Sequence, residues 1–179
     1  LPTREDIVRA LDACEGWSPR LKFINISLAI RRKFLCRTIC TIENPCVLCV
    51  RVNGLYNQGI VTVASAGTLE SAKDGFTCPA NAVRAVKTPF AGRREATAVK
   101  RFLKKHLTSL FYGRAARLLG TSQAAAMLTG GLTVLASAFP SRPALEVLAA
   151  FYFTGVNIEA KNVTRLPNFY RAYVLMEHA

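Results

Sequence analysis

From residue 118 to residue 141 the chain carries no charged side chain. A stretch of that length has to be hidden, in a protein interior or in lipid, and about 20 apolar residues in a row suffice to cross a bilayer. Here Gly120, Thr121, Ser122, Gln123, Thr129, Gly130, Gly131, Thr133 and Ser137 dilute the run. Thr121-Ser122 reads as a helix cap and Gly130-Gly131 as a break, which together split the run into shorter pieces. The expectation is a helical hairpin buried in the protein. The rival reading is a subunit of a membrane protein complex, with 118–141 in or at the bilayer.

Charge elsewhere is uneven. The chain of 179 residues has 24 Lys+Arg against 11 Asp+Glu, a net +13. Residues 16–42 hold Arg20, Lys22, Arg31, Arg32, Lys33 and Arg37 with no acid. Residues 81–117 hold Arg84, Lys87, Arg93, Arg94, Lys100, Arg101, Lys104, Lys105, Arg114 and Arg117 against Glu95 alone. Such blocks repel themselves and favour a polyanion or an anionic membrane face as partner. Arginine outnumbers lysine 16 to 8, and its planar fork grips phosphate bidentately and stacks on bases, which points toward nucleic acid.

The sharpest functional feature is residues 96–112. At helical spacing Val99, Phe102, Leu103, His106, Leu107, Leu110 and Phe111 gather on one side, and Lys100, Arg101, Lys104 and Lys105 on the other. Such a helix buries its apolar stripe and turns four cations outward. An exposed, solvated face is the bland alternative, and a membrane-surface helix is another.

For the fold, Thr3 and Asp6 read as a capping box opening a helix over about 4–14, with Gly16 and Pro19 ending it. Residues 21–30 alternate as a strand, and 34–42, 46–53 and 59–66 are rich in β-branched residues. With Glu43-Asn44-Pro45, Asn53-Gly54 and Asn57-Gln58-Gly59 between them, they read as three or four antiparallel strands with short links. Residues 67–92 read as mixed, a single helical turn from Thr68 closed by Gly75 and then irregular chain around Pro79 and Pro89. From about 94 the pattern is helical, with a short helix over 142–153 and an ambiguous 166–178. The fold class expected is α+β: a small antiparallel sheet at about 21–66 with packed helices and a mainly α-helical C-terminal half. Residues 1–92 and 93–179 form the two regions of one compact unit.

Cys36, Cys40, Cys46 and Cys49 offer four thiols that could hold a structural zinc. Their spacing is not that of a zinc ribbon, and if 46–53 is a strand, Cys46 and Cys49 face opposite sides. Buried, reduced thiols are therefore the preferred reading, with no cofactor. His106 falls on the apolar side of its helix, His178 lies next to the end, and no nucleophile motif, Walker A loop, HExxH or Rossmann glycine triplet is present. The expectation is a protein that is not an enzyme. Two sequons, at Asn25 and Asn162, read as chance. The aromatics Phe151, Tyr152, Phe153, Phe169, Tyr170 and Tyr173 read as core, with base stacking beside Arg165 and Arg171 as the alternative.

The order helix, strands, basic helix resembles that of double-stranded-RNA-binding modules, although no motif carries a residue across. The expected function is a non-catalytic, basic RNA-binding protein, a structural subunit of a large ribonucleoprotein of organellar-ribosome type. Arg31, Arg32, Lys33, Arg93, Arg94, Lys100, Arg101, Lys104, Lys105, Arg114 and Arg117 would neutralise phosphates. Neighbouring proteins of the assembly would be further partners. Charge alone does not separate RNA from DNA, and a viral RNA-packaging nucleocapsid or coat protein would carry the same signature. Without an apolar leader in the sequence the expected location is intracellular. A start at Leu1 is compatible with the mitochondrial matrix after presequence removal.

Overall fold

The computed structural model describes residues 3–18, 20–27, 44–65, 79, 82–85, 121–160 and 163–179. The first helix, α1 (Arg4–Glu15), begins on the expected capping box. The Asp6 N–H donates to the Thr3 hydroxyl oxygen, and the Thr3 N–H donates to the Asp6 carboxylate at 2.9 Å. Ile7 and Leu11 are its buried face, and Gly16 is its C-cap.

Three strands follow: β1 (Phe23–Ile26), β2 (Val61–Ser65) and β3 (Val83–Ala85). They pair in the order β1-β2-β3, all parallel, with Phe23 opposite Val61 and Val63 opposite Val83. This corrects the expected antiparallel sheet. Residues 46–53, read as a strand, lie instead in helix α2 (Val47–Asn57), so β1 returns to β2 by a crossover rather than a hairpin. The buried set Leu48, Cys49, Val52 and Leu55 is spaced for a helix stripe, while the β-branched Val47 and Val50 that suggested a strand are exposed. Asn53-Gly54 is not a turn but helix interior. The real stop comes at Gly59, with φ +80°. There the Ile60 N–H reaches the Leu55 carbonyl and the Gly59 N–H reaches that of Tyr56, both at 2.9 Å, which is a Schellman closure. The expected strand at 34–42 lies outside the described residues.

All five residues of β2 are buried, as a central parallel strand covered on both faces requires. Alternation then sorts its neighbours. Ile26 and Ala64 pack with α1 and α2 in one core, joined by Ile7, Leu11, Leu48, Val52 and Leu55. Phe23, Val61 and Val63 face the opposite way, into a second core.

That second core is built by α3 (Thr121–Ala138), α4 (Ala144–Phe153) and α5 (Phe169–Glu177). Between α4 and α5 lies a backbone hairpin, β4 (Val156–Ala160) with β5 (Val163–Leu166), antiparallel and irregular in register, where no strands were expected. Gly130 and Gly131 do not split the uncharged run: α3 continues through both. Gly131 is a crossing point, because a Cβ there would overlap the Phe169 ring at the start of α5. Among the described residues no helix is long and apolar enough to cross a membrane.

Two polar clamps fix α3 against β1. At one end the Ser122 hydroxyl donates to the Ser27 carbonyl at 2.8 Å and the Ser27 hydroxyl to the Ser122 carbonyl at 3.0 Å. At the other, Lys22 Nζ donates to the carbonyls of Pro140 at 2.6 Å and Arg142 at 2.8 Å, just beyond the helix. Helix α3 therefore runs antiparallel to β1, with its N-terminus at the strand's carboxyl end.

Candidate functional site

The same logic orients α2. Its C-terminus passes through 58–60 straight into the start of β2. Eleven helical residues at 1.5 Å and five strand residues at 3.3 Å each span about 16 Å. The first turn of α2 therefore sits level with the carboxyl end of β2, and two helix N-termini, of α2 and α3, meet the carboxyl edge of a parallel sheet. Open parallel sheets take their ligands at that edge, and helix N-termini favour anions there.

All eleven cations expected to bind phosphate (Arg31, Arg32, Lys33, Arg93, Arg94, Lys100, Arg101, Lys104, Lys105, Arg114 and Arg117) lie outside the described residues. Their flanking residues are described. Ser27 and Asn44 bracket the 28–43 segment, and Ala85 and Thr121 bracket 86–120. Ser27 follows β1 and Ala85 ends β3, while Asn44 precedes α2 and Thr121 opens α3. Both basic segments thus leave from and return to the carboxyl edge.

The other cations of the first block do something else. Lys22 is committed to its two carbonyls at the amino end of β1, so it is not part of a phosphate-binding face. Arg20 is exposed near the same end. Outside the blocks, Arg4 pairs with Glu5, Arg9 with Asp6 and Arg142 with Glu146. Arg51 pairs with Asp12 at 2.8 Å, an ion pair without hydrogen-bond alignment that ties α2 to α1. Four of the 11 acids are therefore engaged by arginines that belong to neither block.

The carboxyl of Asp6 is held low. Hydrogen bonds from the Thr3 hydroxyl and backbone, then from Arg9, hold it down from 3.8 to about 2. It lines a shallow groove of about 260 Å³ between α1 and β1, shared by the apolar Ile7, Leu11, Ile24 and Ile26 and the polar Cys14, Asn25 and Ser27. Its polar groups are engaged within the fold: Asp6 in the cap, the Cys14 thiol on the Ala10 carbonyl, and Asn25 and Ser27 with each other.

Cys46 and Cys49 sit in the first turn of α2, Cys46 as N-cap and half-buried, Cys49 fully buried, with their sulfurs 3.7 Å apart. The premise that they face opposite sides of a strand is overturned. Cys36 and Cys40 lie outside the described residues, and among the described residues no group of three or more His, Cys, Asp or Glu could hold a metal ion. His178 caps the end of α5 and is exposed, and His106 is outside the described residues.

The aromatics divide. Phe151 is buried and meets Phe169 at 4.5 Å between ring centres. Tyr152, Phe153, Tyr170 and Tyr173 are exposed, Tyr170 at 77%. The sequence reading of all six as core holds for two of them. A comparison with protein-family models finds no match, and neither does one with curated proteins.

Proposed function

We propose that the chain is a non-catalytic RNA-binding protein, a structural subunit of a large ribonucleoprotein, that engages phosphates at the carboxyl edge of its parallel sheet. The observation that carries the reading is the shared anchoring of the two basic segments. The blocks carry sixteen cations and Glu95 alone, and four of the 11 carboxylates of the chain are paired with arginines outside them. Most of the sixteen lie in segments tied at both ends to one edge. The N-termini of α2 and α3 add their partial positive charge there. Exposed Tyr170 and Tyr173 beside Arg171 on α5 offer a second surface on which bases can stack.

The test is the full chain purified without detergent. Co-purifying material should raise absorbance at 260 nm and disappear on RNase treatment. Binding to single-stranded RNA should fall steeply with salt. Replacing Lys100, Arg101, Lys104 and Lys105 by Glu should abolish it, and replacing them one at a time by Ala should each lower the salt slope by about 0.7. Three results overturn the reading. They are partition of the chain into the membrane fraction, sensitivity to DNase alone, and RNA-dependent assembly into a regular particle of this chain only, as a coat protein would form.

A further inference from the structure

Two thiols meet at the start of α2. Cys46 and Cys49 are three residues apart across the first turn of a crossover helix in a β-α-β unit, at the carboxyl edge of the sheet. Their sulfurs are in contact at 3.7 Å, a non-bonded distance. The two differ in access: Cys46 is half-buried and reachable, whereas Cys49 has no exposed surface. Behind them Leu48 and Val52 are packed into the core, so the turn carrying both sulfurs is held rigidly. Neither Asp nor Glu lies in that first turn to repel a thiolate.

We propose that Cys46 and Cys49 form a redox-active dithiol that exchanges with low-molecular-weight disulfides, Cys46 being the attacking sulfur and Cys49 the resolving one. In the first step the Cys46 thiolate attacks one sulfur of a disulfide RSSR. A Cys46–SR bond forms and RS⁻ leaves, taking up the proton Cys46 has lost. The Cys49 thiolate then attacks Cys46 Sγ, the Cys46–SR bond breaks, and a second RS⁻ leaves with the proton from Cys49. The pair gives up two electrons and two protons, and RSSR becomes two RSH. Only a reachable sulfur can take the first step and only a neighbour in contact can take the second, which assigns the roles. Closing the gap to the bonded length of about 2.05 Å requires a shift within one helical turn. The exchange does not require RNA, and mass spectrometry reads it directly.

The experiment uses the full chain carrying Cys40→Ser, so that the tryptic peptide 38–51 holds Cys46 and Cys49 alone. Titration of the folded protein with glutathione disulfide, followed by alkylation and mass spectrometry, should show that peptide two hydrogens lighter, reversibly on adding dithiothreitol. Adding Cys49→Ala should trap glutathione on Cys46. Adding Cys46→Ala should leave Cys49 unmodified in the folded protein, with circular dichroism confirming folding in each case. Should Cys49→Ala weaken folding, Cys49→Val fills the same site. The proposal is overturned by glutathione accumulating on Cys46 of the Cys40→Ser protein without ring closure. A stable bond from Cys46 or Cys49 to Cys36, Cys14 or Cys78 also overturns it. So does stoichiometric zinc in the purified wild-type chain that shields both thiols from alkylation.

Discussion

The two helical layers that cover the sheet are held by different means. On one face α1 and α2 are joined across their surfaces by the Asp12–Arg51 pair, and their ends are finished by polar devices, the Thr3–Asp6 box and the Gly59 closure. On the other, α3 has no charge at all along 18 residues. Three of its hydroxyls are satisfied inside the helix: Thr129 donates to the Ala125 carbonyl, Thr133 to Thr129 and Ser137 to Thr133, at 2.8–2.9 Å. Polar residues that dilute hydropathy in a sequence therefore need not mark a break or an exposed loop. A helix can absorb them at four-residue spacing and still lie flat on a core.

The largest expected effects test whether the two layers are one cooperative structure. Leu55→Ala in the α1/α2 core and Leu132→Ala in the α3 core each remove a fully buried side chain. Each should cost about 2–5 kcal/mol. Because both cores share β2, calorimetry of either variant should show a single transition moved downward. Two transitions in one of them would break the picture of a shared sheet.

The glycine pair sharpens the contrast within one layer. Gly131→Ala forces a methyl into the Phe169 ring and should destabilise by about 1–3 kcal/mol. Gly130→Ala meets nothing within 4 Å, lies in the same helix, and should stabilise by about 0.5–1 kcal/mol. Equal effects in urea melts would mean that α5 does not cross there.

A smaller effect is expected at the clamp between the sheet and the α3 layer. Lys22→Met strands two carbonyls that now accept from one ammonium, and should cost about 1.5 kcal/mol. If RNA affinity fell instead with stability unchanged, the assignment of Lys22 to structure would be wrong.

The smallest is confined to α1. Asp6 is held at about 2 when folded against 3.8 otherwise. Its contribution is therefore full above pH 3.8 and is lost as pH falls toward 2. Asp6→Asn should flatten that part of the acid stability curve and leave the neutral-pH response of the α3 layer untouched.

How much of this was legible depended on what kind of signal each residue carried. The α1 boundary was readable because Thr3, Asp6 and Gly16 act locally, through their own backbone. The apolar strands at 23–26 and 61–65 were readable as strands, but their direction was not. Parallel pairing depends on what joins them, and that rested on 46–53, where valines concealed a helix stripe of Leu48, Cys49, Val52 and Leu55. The Gly131 crossing had no sequence signal, since its reason is a ring 38 positions away. Cys46 and Cys49 stood out in the sequence only within a four-cysteine set weighed for zinc. The mistaken strand assignment put their sulfurs on opposite sides.

Because α2 and α3 both start where the strands finish, the described links of the molecule gather at one hard end. At the hard end the links are tight: three residues at 58–60, locked by a left-handed glycine, and a lysine gripping the turn beyond α3. An insertion there would pull a helix off its strand. The opposite end carries the first turns of α2 and α3 and the last residues of β1 and β3.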